Sequence, residues 1–157
     1  LGPKKITGNL NISNNADLTM NGTLWVQGNM LVSNNATVRL SSSYGTSEGV
    51  IVVDGTITIN NNAVFAGSGA SGSYLMALST STSSTAISLS NNGGSVILYA
   101  AYGTVDLNNN ATAKALNGKY IHLNNNVTII YDSGLANVNF VNGPSGGWGV
   151  RSWKEVK

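Results

Sequence analysis

Gly28-Asn-Met-Leu-Val-Ser-Asn-Asn-Ala36 is one copy of a phrase that decides the fold, because it recurs as Gly8-Asn-Leu-Asn-Ile-Ser-Asn-Asn-Ala16, Gly55-Thr-Ile-Thr-Ile-Asn-Asn-Asn-Ala63 and Gly103-Thr-Val-Asp-Leu-Asn-Asn-Asn-Ala111. Counting from each Gly, the second position holds Leu10, Met30, Ile57 and Val105, and the fourth holds Ile12, Val32, Ile59 and Leu107. Apolar residues at every second place mark a strand with one buried face. An Asn pair follows: Asn14-Asn15, Asn34-Asn35, Asn61-Asn62 and Asn109-Asn110. Asn tolerates left-handed backbone and bonds nearby main chain, so a fixed Asn pair predicts a corner. Past the corner the alternation resumes through Ala16 and Leu18, Ala36 and Val38, Ala63 and Phe65, and Ala111 and Ala113.

Working outward, a third apolar stretch precedes each Gly, with Ile6, Val26, Val53, Ala101 and Leu116 in a common inward slot two residues before it. Two looser copies extend the series. Ile87-Ser-Leu-Ser-Asn-Asn-Gly93 has Thr85 in the Gly slot, and Lys119-Tyr-Ile-His-Leu-Asn-Asn-Asn-Val127 has Lys119 there and places Asn125-Asn126 at the corner. Three short strands per turn around a narrow apolar interior predict an all-β fold, a right-handed parallel β-helix of about six to seven short coils with a C-terminal cap strand. At about 4.8 Å per coil this is a rod on the order of 30 Å long. The residue after the Asn pair falls at 16, 36, 63, 93, 111 and 127, so the longer coils carry insertions: Ser41 to Gly49, Gly67 to Ser73 and Ser79 to Ser84. The stacked Asn amides are expected to bond up and down the corner. The outward fifth position, Ser13, Ser33, Asn60, Ser90, Asn108 and Asn124, is expected to form a solvated polar ladder.

The 157 residues are one domain's worth, and 41% hydrophobic residues suffice for a core. Only 9% of residues are charged and the net charge is +2, which argues against nucleic-acid binding. The chain has no Cys, so neither a disulfide framework nor a thiol nucleophile is available. No stretch approaches the roughly 20 apolar residues that span a bilayer. Residues 1–3 read as the remnant of a cleaved tag, 4–132 as the β-helix and 133–157 as a C-terminal capping segment. Trp148 and Trp153 are the cap residues, since an open solenoid end must be covered.

Chemistry-bearing residues are sparse. Asp17, Glu48, Asp54 and Asp106 share no repeat slot, so the stacked carboxylates of a polysaccharide-cleaving β-helix are not formed, and no catalytic residue, metal or cofactor is expected. His122 stands one coil above Asp106 on the outer face, a pair that reads as a cross-strand polar contact. Trp25 points outward between inward Leu24 and Val26, with Val52, Ala100 and Ala115 expected beside it. This exposed apolar strip is either a contact surface or is covered by the Ser41 insertion or the tail. Trp25, Val52, Asp106 and His122 are therefore the possible interaction surface. Thr56-Ile-Thr58 has no repeated neighbours of the kind an ice-binding face needs, and the Asn-X-Thr triplets at Asn21, Asn35 and Asn110 follow from the repeat itself.

The Gly-X-hydrophobic-X-hydrophobic-Ser/Asn-Asn-Asn-Ala coils, the Ile129-Ile-Tyr-Asp132 exit and the closing Gly147-Trp-Gly-Val-Arg-Ser-Trp-Lys-Glu-Val156 resemble the C-terminal region of PilX-type pilus assembly proteins, across nearly all of residues 8–157. The resemblance implies an extracellular minor pilin domain. Its partners would be other pilus subunits or a surface ligand, and it would meet a membrane only through an N-terminal helix absent here. The expected function is non-enzymatic presentation, with adhesion as an added role. The alternatives are a freestanding surface adhesin for glycan or protein and a bactofilin-like polymerising scaffold.

Overall fold

A computed structural model describes residues 1–94, 97–132 and 135. It is an all-β, parallel β-helix of six coils. The first coil is β1 (Lys4–Ile6), β2 (Leu10–Ile12) and β3 (Asp17–Met20), and the second is β4 (Leu24–Val26), β5 (Met30–Val32) and β6 (Thr37–Leu40). The third is β7 (Gly49–Val53), β8 (Ile57–Ile59) and β9 (Val64–Ala66). The fourth holds β10 (Leu75–Ser79) and β11 (Ile87–Leu89), and in place of a third strand it has a bridge at Gly94 to Val64 and Thr112. The fifth is β12 (Ile97–Leu107) and β13 (Thr112–Ala113), and the sixth is β14 (Ala115–Leu123) and β15 (Thr128–Ile129).

Every pairing between coils is parallel. Wall one stacks β1, β4, β7 and β10; wall two stacks β2, β5, β8 and β11; wall three stacks β3, β6 and β9, then continues through Gly94 to β13 and β15. The long strands β12 and β14 run through the corner between walls one and two and join them into one sheet.

The apolar column Ile12, Val32, Ile59, Leu89, Leu107 and Leu123 follows the predicted fourth position from coil to coil. Val32, Ile59, Leu89 and Leu107 are fully buried, while Leu123 in the sixth coil is 51% exposed. Burial is complete in the coils flanked by a described coil on each side, while Ile12 in the first coil keeps 7% exposure, as expected of a solenoid whose units share their core with their neighbours.

One inward slot departs from expectation. Ala101 is only half-buried, and Leu98 and Ala100 point inward with no exposure. Between the pairs Ala100–Gly118 and Thr104–Tyr120, β12 has three residues where β14 has one, so a bulge shifts the count at this corner.

The Asn corners form as predicted. All twelve Asn of the six pairs, including Asn91 and Asn92, have φ between 51° and 63°. In one ladder Asn34, Asn61, Asn91, Asn109 and Asn125 each donate Nδ2 to Oδ1 of the Asn one coil earlier, at 3.1–3.2 Å, starting from Asn14. A parallel ladder runs Asn15, Asn35, Asn62, Asn92 and Asn110 at 3.0–3.2 Å.

The Gly slot has a steric cause. A Cβ on Gly28 would lie 2.7 Å from the carbonyl carbon of Gly8, and one on Gly55 would lie 2.7 Å from the Gly28 carbonyl oxygen. The next residue in the phrase builds a third rung: Asn9 Oδ1 accepts the Asn29 N–H at 2.8 Å, and Asn29 Oδ1 accepts the Thr56 N–H at 2.9 Å. The fifth position is less uniformly solvated than expected. Ser33 is buried, and Asn60 Oδ1 is buried without a protein hydrogen-bond partner.

The insertion after β10 is stitched by its own hydroxyls. The N–H groups of Ser81, Ser83 and Thr85 donate to the Oγ of Ser79, Ser81 and Ser83 in turn, at 3.1–3.3 Å.

A second, small apolar cluster lies outside wall one, where Tyr74 and Ile97 are buried with Met76, Ala115 and Leu135 against them. Lys114 anchors the chain here, with Nζ 2.8 Å from Asp132 Oδ2 and 5.2 Å from the Tyr74 ring centroid. Burial, together with a hydrogen bond to Asp132 and the charges of Asp132 and Glu48, raises the Tyr74 phenol above its ordinary value. A raised phenol keeps its proton in the folded state, so its contribution is complete below pH 10 and is lost as pH climbs through the folded pKa. Melting temperature is therefore expected to fall above pH 10, and to fall less in Tyr74→Phe, as read by circular dichroism across pH 8–11. An equal fall in both proteins would contradict this.

Candidate functional site

The insertion between β6 and β7 helps form a groove that combines aromatic, polar and cationic side chains. It begins with a 3-10 turn at Ser42–Tyr44, capped by the Ser41 hydroxyl, which accepts the Ser43 N–H. The turn sets Tyr44 against the core cluster and overhangs the outer face of wall one, where β1 and β4 lie side by side. Between them is an open groove of about 780 Å³ lined by Pro3, Lys4 and Lys5, by Asn21, Gly22, Thr23 and Trp25, and by Ser43, Tyr44 and Ser47. Residues 1–3 are bonded to the rod. The amino terminus donates to the Thr19 carbonyl at 2.6 Å, and the Leu1 carbonyl accepts the Asn21 N–H at 2.8 Å.

Trp25 is half-buried and fixed from two sides. Lys5, its register partner on β1, holds Nζ 4.4 Å from the ring centroid, and the indole N–H donates to Asp54 Oδ1 at 3.0 Å. A cation over an indole is attracted by the negative face of the ring. Burial also raises the Tyr44 phenol above its ordinary value.

The strip beside Trp25 differs from the sequence reading. Val52 is the neighbour on β7 as expected, but the column continues through Leu78, Tyr99 and Asn117. Ala100 faces the interior, and Ala115 sits one column over, beside Ile97. The bulge in β12 breaks the count that placed them there. Val52 is itself buried at 6% exposure, so it offers no surface. The Ser41 insertion lies next to the indole and walls it without sealing it.

Asp106 and His122 are brought into register on wall two as predicted, in the column Thr58, Ser88, Asp106, His122. Asp106 Oδ1 takes its hydrogen bond from Asn108 Nδ2 at 3.0 Å, and His122 stands exposed on the sixth coil. Among the described residues no group of three or more His, Asp or Glu could hold a metal ion. No helix among them is long and apolar enough to cross a membrane. Trp148 and Trp153, and with them the expected cap strand, lie outside the described residues.

The sequence reading missed the partners that fix the site: Lys5 over Trp25, Asp54 on the indole N–H, and Tyr44 carried in by the insertion. It also missed Arg39 pairing with Asp17 between wall-three strands. The Asn in Gly8-Asn9 and Gly28-Asn29 was the available signal for the third rung, but Thr56 breaks the pattern.

No family model, no curated protein and no solved structure matches this chain.

Proposed function

We propose that this chain is a non-enzymatic presentation domain: a stiff, weakly charged rod carried on the outside of a bacterial cell, as part of a pilus or pilus-associated protein. The observation that carries the reading is the pair of Asn ladders running from coil to coil, which lock the corners independently of the core. A solenoid braced along its axis suits holding a surface at a distance.

The test is made in the organism that encodes the chain, with antibodies raised against this domain. Label on intact cells and recovery of the protein with sheared filaments are expected. Recovery from the cytoplasmic fraction alone would overturn the proposal. Surface label that stays with the cell body after shearing would favour the freestanding adhesin, a reading supported by the groove at Trp25. Sedimentation of the isolated chain as long polymers would favour the scaffold.

A further inference from the structure

We infer that the groove between Trp25 and the Ser41–Gly49 insertion is a binding subsite for an acidic sugar, a hexuronic acid or sialic acid residue of a glycan. A sugar ring presents two unlike surfaces. Its axial C–H groups form an apolar face that packs on an aromatic ring, and its rim of hydroxyls needs donors and acceptors in one plane.

The groove supplies both. Trp25 and Tyr44 offer the aromatic surfaces, from the wall and from the insertion respectively, and Asn21, Thr23, Ser43 and Ser47 place amide and hydroxyl groups around them. A volume of about 780 Å³ accommodates more than one ring and falls within the range of small-ligand sites.

The charge selects among sugars. Lys4 and Lys5 both line the groove, and its lining contains no carboxylate. Asp54, the acid that meets Trp25, is engaged by the indole N–H. The Lys5 ammonium lies over the face of the indole, so it is the cation that the carboxylate of a sugar entering the groove beside Trp25 meets. A neutral sugar would leave both lysines unanswered. An acidic peptide would satisfy the lysines and make no use of the paired aromatic surfaces.

Trp25 is also held in place before any ligand arrives, by Lys5 on its face and Asp54 on its N–H, so little ordering cost remains for binding. The inference concerns this groove alone, so it stands or falls separately from whether a filament carries the rod.

The test is calorimetric titration of the 157-residue chain with tetragalacturonate, 3′-sialyllactose, maltotetraose and a hexaglutamate peptide at low and physiological salt. Binding of at least one acidic saccharide is expected. That binding should be at least ten-fold tighter than for maltotetraose, should weaken with salt, and should weaken at least ten-fold in Trp25→Ala and in Lys5→Gln. Ser47→Trp, at an exposed position on the insertion, fills the groove while leaving the wall-one side chains in place, and should abolish binding with melting unchanged. It decides the matter if Trp25→Ala does not fold. Three results would each overturn the inference: no binding of either acidic saccharide, equal binding of the peptide, or saccharide binding indifferent to Ser47→Trp.

Discussion

Replacing Ile59 by Asp is expected to abolish the cooperative melting transition of this domain. Ile59 has no exposure and lies between Val32 of the coil before and Leu89 of the coil after, in the column where each residue depends on its two neighbours. The interior is only a few side chains wide, so a carboxylate at this place reaches neither water nor a cation. An unpaired buried charge costs several kcal/mol even after relaxation, against a total stability of about 5–15 kcal/mol for a domain of this size. Ile59→Val, which removes one methylene, should cost only about 0.5–1.5 kcal/mol and keep a sharp transition. Far-ultraviolet circular dichroism with thermal and urea melts reads both. A native-like transition in Ile59→Asp would mean that this residue does not face the interior.

The second large effect is expected at a corner. Asn61 has φ 53°, donates its amide to Asn34 Oδ1 at 3.1 Å and accepts from Asn91 Nδ2 at 3.1 Å. Asn61→Val puts a β-branched residue into left-handed backbone, at a cost of roughly 1–2 kcal/mol or more, and removes two hydrogen bonds worth about 0.5–1.5 kcal/mol each. The loss should therefore be about 2–5 kcal/mol by urea denaturation. Asn61→Gly keeps the backbone conformation available and loses only the two ladder bonds, so about 1–3 kcal/mol is expected. The difference between the two variants measures the backbone share of the corner, and the Gly variant alone measures the ladder. If neither variant moved the urea midpoint, the ladders would not brace the rod.

The fold was legible because a solenoid repeats its local physics. Each phrase states its own strand, corner and second strand, and the column from Ile12 to Leu107 follows from matching phrase to phrase, without knowledge of any distant contact. The reading failed where the phrase is interrupted. At Ala101 a bulge in β12 moves the inward slot by one residue, and beside Trp25 the same bulge replaces the expected Ala100 and Ala115 by Tyr99 and Asn117.

The groove was half legible. Trp25 stood out because a large aromatic at an outward position breaks the small-polar rule of the wall. Tyr44 did not, because nothing local to Ser42-Ser-Tyr44 says which neighbouring wall the insertion will overhang. Lys5 carries no local signal for the site, and only the pairing of β1 with β4 brings it onto the indole. The candidate groove lies at a departure from the repeat, and departures are the parts a repeat does not encode.

The coil register underlies every one of these statements, and it can be read chemically because the chain has no cysteine of its own. Thr58 and Ser88 are paired on β8 and β11 and both face outward. Adjacent parallel strands lie about 4.8 Å apart, within the Cα separation of about 4.4–6.8 Å that a disulfide accepts. Thr58→Cys with Ser88→Cys should form an intramolecular disulfide under mild oxidation, with loss of both free thiols by mass spectrometry and a melting temperature no lower than that of the parent. Thr58→Cys with Ser90→Cys, offset by two residues and about 8 Å apart, should keep both thiols. Closure of the Ser90 pair in place of the Ser88 pair would contradict the register, and with it the β-helix as drawn here.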